Sequence, residues 1–183
     1  MSSTPLTFQL DPPVTPALRD EILRMWTDVS NAGGAVGFVA PVTAEEIRPE
    51  LVKQFVAMVE GRGRLLVGRD GDGAVGGDGA VVASVFIAQN THRLMRHWVW
   101  LHTVMVHPER QGHGYGRELL QAAADAARTL PGITAIRLGC RGGHGLENFY
   151  ASCGYKEVGR VPDAIRVAEG DYRDDIAMLL PLM

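Results

Sequence analysis

Cysteine is scarce in this chain: Cys140 and Cys153 are the two in 183 residues. They make no C-x-x-C pair and no disulfide framework, which suits a reducing compartment, so a cytoplasmic location is expected. An excess of either charge is also lacking. Eighteen basic residues face twenty-one acidic ones, for a net charge of −3 and a pI near 6.1. Neither a general nucleic-acid surface nor a membrane surface is expected from that balance. No stretch of eighteen successive apolar residues occurs, so no transmembrane helix is predicted. The opening Met-Ser-Ser-Thr-Pro lacks a basic segment followed by an apolar run, and no signal peptide is predicted. Common catalytic signatures are missing too: there is no H-E-x-x-H and no G-x-S-x-G. His92, His97, His102 and His107 recur every five residues, but odd spacing on a strand alternates faces. They do not converge, and no metal site is expected.

What is present describes a globular chain. Hydrophobic residues make up 46% and charged residues 21%, which excludes a disordered polymer. A chain this long buries roughly 70% of its unfolded surface, enough for a core, and one domain spanning 1–183 is the default. A short strand is predicted at 6–10. Thr15 then caps a helix with Pro16 at its first position, and Leu18, Ile22, Leu23, Met25 and Trp26 follow at helical spacing. Thr43-x-x-Glu46 is a capping box for a second helix, with Leu51, Phe55, Val56 and Val59 expected inward. A hairpin follows, with strands at 64–69 and 80–89 around a polar, glycine-rich loop at 70–79, too long for a two-residue turn and expected to be mobile at its tip. Residues 90–97 read as a connector and 98–106 as a strand. A helix runs from near Gly114 to Ala124. A strand at 133–140, a short helix at 146–152, a strand at 155–160, a loop at 162–170 and a strand at 174–180 complete the order. This succession predicts an α/β chain: a central mixed, mostly antiparallel sheet of six to seven strands with helices on both faces.

The stretch from Leu101 to Arg128 organises the rest. Pro108 cannot donate to a sheet ladder, so the strand stops before it. Gly112, Gly114 and Gly116 then let backbone N–H groups crowd around one point. The first amides of a helix have no intrahelical acceptor, and the macrodipole adds partial positive charge there. A glycine-rich turn into such a terminus is a phosphate cradle. Two familiar loops do not match. G-x-G-x-x-G fails because Arg117 stands at the third glycine, and no Gly-Lys-Ser/Thr follows for a P-loop.

What matches is Gln111-x-x-Gly114-x-Gly116 after a strand ending Val104-Met105-Val106. This resembles the central motif of the GNAT superfamily of acyl-CoA-dependent N-acyltransferases, Arg/Gln-x-x-Gly-x-Gly/Ala. Phe149-Tyr150-Ala-Ser-Cys-Gly154-Tyr155 is similar to a second family signature, aromatic-Tyr-x-x-x-Gly-Phe/Tyr. The resemblance covers most of the chain and implies the GNAT-like fold, with acetyl-CoA as co-substrate and no metal. It also implies pantetheine laid along Val104, Met105 and Val106 as an added strand. The pyrophosphate would lie on the main chain of Gln111, Gly112, His113, Gly114, Tyr115 and Gly116, with Arg117 and Arg110 available for charge. Tyr150 takes the place of the acid that protonates departing thiolate. The family often carries a Glu on the motif strand; Trp100 stands there instead. His102, two residues on and on the same sheet face, is the candidate base, ahead of Glu147 and His144. A family Asn seven residues before the tyrosine is replaced by Gly143. The implied reaction is acetyl transfer to a primary amine by direct attack in a ternary complex. The acceptor is expected to be a small molecule. The layout of the tail, Gly159-Arg160-x-Pro162 to Arg173-Asp174, is similar to detoxifying members of the tabtoxin-resistance type. The amine should enter near the loops at 31–41 and 162–173. A protein amine as acceptor, a non-catalytic acyl-CoA sensor and a homodimeric assembly stay open at this point.

Overall fold

The computed structural model describes residues 4–71 and 79–183. Strand β1 (Thr7–Leu10) precedes two helices, α1 (Pro16–Asn31) and α2 (Ala44–Val59). A hairpin of β2 (Gly63–Asp70) and β3 (Ala80–Gln89) leads to the central strand β4 (Trp98–Val106). Then come α3 (Tyr115–Arg128), β5 (Ala135–Arg141), α4 (Leu146–Ser152) and a hairpin of β6 (Lys156–Ala168) and β7 (Asp171–Pro181). The seven strands form one sheet in the order β1-β2-β3-β4-β5-β7-β6. Every neighbouring pair is antiparallel except β4 and β5. The expected mixed sheet is therefore present, with seven strands. The tip of the β2–β3 loop, expected to be mobile, falls on residues 72–78, outside the described residues.

Local chemistry sets the helix ends. Thr15 Oγ1 accepts the Leu18 amide at 3.1 Å, and Pro16 opens α1. The Thr43–Glu46 capping box is closed in both directions. The inward stripe of α2 differs from the expected one. Ile47, Leu51 and Ala57 are buried, Phe55 and Met58 pack beside them, and Val56 and Val59 face solvent, Val59 at 90% exposure. Positions 47, 51, 55 and 58 follow the helical period; Val52, Val56 and Val59 fall on the opposite stripe. Helix α3 also runs four residues past the expected end, to Arg128.

The sheet carries one core on each face. Ile22, Ile47, Phe86 and Met105 pack beneath α1 and α2. Leu119, Ala123, Ile136, Leu138 and Tyr150 pack beneath α3 and α4. Burial of each large apolar side chain contributes roughly 1.5–3 kcal/mol. The segment 162–170, expected as a loop, is largely strand, since β6 continues to Ala168. Pro162 is tolerated because β6 is the sheet edge. The chain absorbs it with a register shift between Val161 and Ile165 and a positive φ of 52° at Asp163.

The sheet is split at its centre. β4 pairs with β5 only through Trp98–Trp100 against Ala135–Arg137. Beyond that point β5 follows β7 while β4 stays with β3. The β5-facing edge of residues 101–106 is left open. Thr103, at φ 54°, marks a bulge in the β3–β4 ladder. Val99 and Leu101 belong to the α3-side core, whereas one bulge later it is Val104 and Val106 that pack there and Met105 that turns to the α1–α2 side.

Candidate active site

One face of the split holds the glycine turn. Gly112 and Gly114 lie at φ 83° and 85°, the left-handed region where a Cβ is strained. A Cβ at either position would meet nothing within 4 Å, so the space above the turn is open. Gly114 caps α3 without any side-chain hydrogen bond, leaving the first amides of the helix for an external acceptor. Gly116 serves packing: a Cβ there would lie 3.0 Å from Phe149 Cζ, so α4 docks directly on the first turn of α3. These residues suit the diphosphate of a coenzyme, and the bare β4 edge at 104–106 suits an extended amide-bearing arm.

The side chains around the turn are largely occupied. Gln111 Nε2 donates to the Val106 carbonyl at 3.2 Å. The His113 ring nitrogen Nδ1 sits 3.1 Å from the carbonyls of Arg110 and Gln111. Tyr115 is a core residue whose hydroxyl donates to the Thr4 carbonyl at 3.1 Å. Arg117 holds the end of α4, donating to Ser152 O at 2.8 Å and Ser152 Oγ at 3.1 Å. Arg110 pairs with Asp70. Main-chain amides, rather than these cations, are the groups left for phosphate.

Helix α4 sets Tyr150 beside the turn. Its ring packs against Phe149 at 5.4 Å and Tyr155 at 5.8 Å. Burial pushes its phenol well above the ordinary tyrosine range, so it keeps its proton. No hydrogen-bond acceptor among the described residues meets its hydroxyl. Nearby Cys140 is buried, and desolvation followed by the Glu147 charge raises its thiol to about 11. It is a poor nucleophile.

The opposite face of the split is a cleft of about 740 Å³ under α1 and α2. Trp100, His102 and Thr103 of β4 line it, facing residues 35–39, Glu46, Glu50, Ile165 and Asp175. The loops expected to admit the acceptor thus do border it. Trp100 stacks on His102 at 6.0 Å and crosses Trp98 at 5.0 Å, with the Arg137 guanidinium 4.6 Å and 5.3 Å from the two indoles. The indole that stands where the resembled family often carries a glutamate thus has a guanidinium beside it. His102 opens to the cleft, yet the surrounding protein desolvates its ring and holds its pKa below the ordinary 6.5. It is neutral at neutral pH and able to accept a proton.

Neither of the lesser base candidates lines this cleft. Glu147 lies 3.9 Å from Arg160, with its other oxygen buried and unpaired. His144 lines a separate recess of about 190 Å³ with Arg141 and Arg173. Sequence reading missed Arg141, Arg173 and Asp175. Each is an unremarkable strand-end charge until β5 and β7 pair and bring them to one place.

The Acetyltransferase (GNAT) family model matches residues 45–155. No curated protein sequence matches the chain. Among solved structures, a GNAT superfamily phosphinothricin acetyltransferase from Sinorhizobium meliloti in complex with AcCoA superposes with a TM-score of 0.73 at 18% identity, covering 98% of this chain and 89% of that one. A ribosomal-protein-alanine N-acetyltransferase from Brucella melitensis gives 0.72 at 21%, covering 97% and 100%. A spermidine N-acetyltransferase chimera from Vibrio cholerae and hSSAT gives 0.71 at 18%, covering 98% and 96%. At these identities the likeness is one of fold, and the three acceptors named differ in chemistry.

Proposed function

This chain belongs to the GNAT acetyltransferase family, and from that premise we propose that it moves an acetyl group from acetyl-CoA to a primary amine of a small molecule. The observation that carries the reading is the split sheet. An open cradle and Tyr150 lie on one face, a cleft with His102 on the other, and the parting of β4 from β5 joins them. Acetyl-CoA supplies an activated acyl group as its thioester. The main chain of Gln111, Gly112, His113, Gly114, Tyr115 and Gly116 binds the diphosphate, and Val104, Met105 and Val106 hold the pantetheine arm. A backbone N–H near Val106 polarises the thioester oxygen. His102, directly or through water, takes the proton that the ammonium must lose before nitrogen attacks. Tyr150 donates its O–H to sulfur as the carbon–sulfur bond breaks. Nitrogen replaces sulfur at the acyl carbon, one proton reaches sulfur and one is released. Holding both reactants in one split supplies much of the rate. We take the whole of 1–183 as the unit that does this, acting in the cytoplasm.

A screen of primary amines with acetyl-CoA, read by thiol release, tests the reading; transfer to one class supports it. Gly114→Glu should abolish acetyl-CoA binding by adding a carboxylate to the cradle, and Gly114→Ala separates that charge from strain at φ 85°. Unchanged affinity in Gly114→Glu would refute the cradle. The indole at Trp100 favours a second reading, a non-catalytic acyl-CoA sensor. Tight coenzyme binding with no turnover across the screen would select it.

A further inference from the structure

We propose that the acceptor is a small amine that also carries an oxyanion, a carboxylate in the simplest case, and that Arg141 with Arg173 selects it. This deepens the acyl-transfer reading and rests on it. Arg141 ends β5 and lines both the large cleft and the smaller recess beside it. It therefore stands where the acceptor space turns into a second chamber. A guanidinium offers five N–H donors. Here one of them reaches the Phe38 carbonyl at 3.3 Å, and no carboxylate among the described residues lies within ion-pair distance.

A second cation points at the same place. Arg173 lines the recess, and its charge, after burial itself, depresses the Arg141 pKa. Two like charges in a partly buried recess are unfavourable unless an anion joins them. Arg173 reaches in because residue 143 is glycine. A Cβ at Gly143 would overlap Arg173 Nη1. Asp171 fixes the arginine from behind, 2.9 Å from Nε and 3.1 Å from Nη2. One carboxylate behind two guanidinium groups leaves a net positive recess facing the acceptor cleft, with His144 on its wall.

The cleft also has a place for the ammonium. Asp175 is the partner of Arg141 across the β5–β7 ladder, so the two share a sheet face. Residues so placed commonly pair, yet these two do not reach ion-pair distance, and the Asp175 carboxylate makes no hydrogen bond among the described residues. Its neighbour Asp174 is fully engaged, accepting from Arg160 at 2.9 Å and from the Asp163 amide at 3.3 Å. A negative and a positive group thus stand side by side on the cleft, each open. That is the complement of a zwitterion.

The test is an acceptor panel of L-amino acids and ω-amino acids, each compared with its own carboxamide. The carboxamide keeps the amine and the skeleton and removes the negative charge. Its amine is also the less basic, so simple reactivity favours the carboxamide and a preference for the acid needs a protein cause. We expect kcat/KM for the acid to exceed that for the amide by about 10- to 100-fold, the range of a lost charge-assisted contact. Arg141→Gln should bring that ratio towards one, mainly through KM, and Arg141→Lys should restore part of it. Melting with and without acetyl-CoA confirms that each variant is folded, and Arg173→Gln serves as a second probe of the same recess. Equal or better use of uncharged or cationic amines by the wild type would overturn the proposal while leaving acyl transfer intact. Should no amine turn over although acetyl-CoA binds, the acyl-transfer reading fails. Calorimetric titration with the same amino acids then decides the recess: binding lost in Arg141→Gln supports it, and no binding to the wild type overturns it.

Discussion

One physical effect moves Tyr150 and His102 in opposite directions. Desolvation disfavours charge, so it raises the phenol and lowers the imidazole. Tyr150 therefore stays a donor at every working pH, and His102 is an unprotonated base through the neutral range. Tyr150→Phe removes the donor and keeps the ring that packs against Tyr155. Its kcat should fall about 10²- to 10³-fold with little change in acetyl-CoA affinity, a split that steady-state kinetics with separate binding measurements reads directly. Equal kcat would remove the acid role. His102 predicts an acid limb. With its pKa depressed, its contribution as base should be complete above the ordinary histidine value and should be lost as pH falls through a point below 6.5. In His102→Gln that limb should flatten, while the rise at higher pH that reflects loss of the substrate ammonium proton persists. An unaltered acid limb would assign the base to water or to another group.

At the scale of elements, the contact of α3 with α4 ties the glycine turn to the helix that carries Tyr150. Gly116 leaves room for the Phe149 ring, whose Cζ would lie 3.0 Å from a Cβ at that position, and Arg117 clamps the Ser152 carbonyl. The cradle and the tyrosine are therefore held by one packed junction. Gly116→Leu should push Phe149 aside and shift Tyr150, which adjoins it in the same helix. Overpacking of this kind costs about 1–3 kcal/mol. It should lower the denaturation midpoint and reduce kcat more than Gly114→Ala does, since only the former disturbs α4. Equal loss in both variants would mean that the junction does not position Tyr150.

For the whole molecule, the parting of β4 from β5 leaves residues 101–106 without a sheet partner on one side, the edge assigned above to the proposed co-substrate. A ligand that binds only the folded chain stabilises it by about 2.7 kcal/mol at a hundred times its Kd. For a chain of this length, acetyl-CoA at that excess should raise Tm by about 5–10 °C. NAD should give no comparable shift, because Arg117 replaces the third glycine of the dinucleotide fingerprint. A shift with NAD and none with acetyl-CoA would reverse the assignment. Among the described residues, no helix is long and apolar enough to cross a membrane.

Local signals were legible without the fold. Thr15 and Thr43 announce their helices because a cap is a contact between residues three apart. The glycine turn and Phe149-Tyr150 were readable for a like reason: each is contiguous in the chain. Spacing alone points Val56 and Val59 inward, because α2 has two apolar stripes and the surroundings select which one is buried; it ends the tail strand at 160 because Pro162 reads as a breaker, which a sheet edge tolerates. Only the tertiary structure could part β4 from β5, bring the Arg173 guanidinium against Gly143, and set Arg141 beside Asp175. Those arrangements join residues tens of positions apart, and their geometry depends on strand register and packing that no short window of sequence contains.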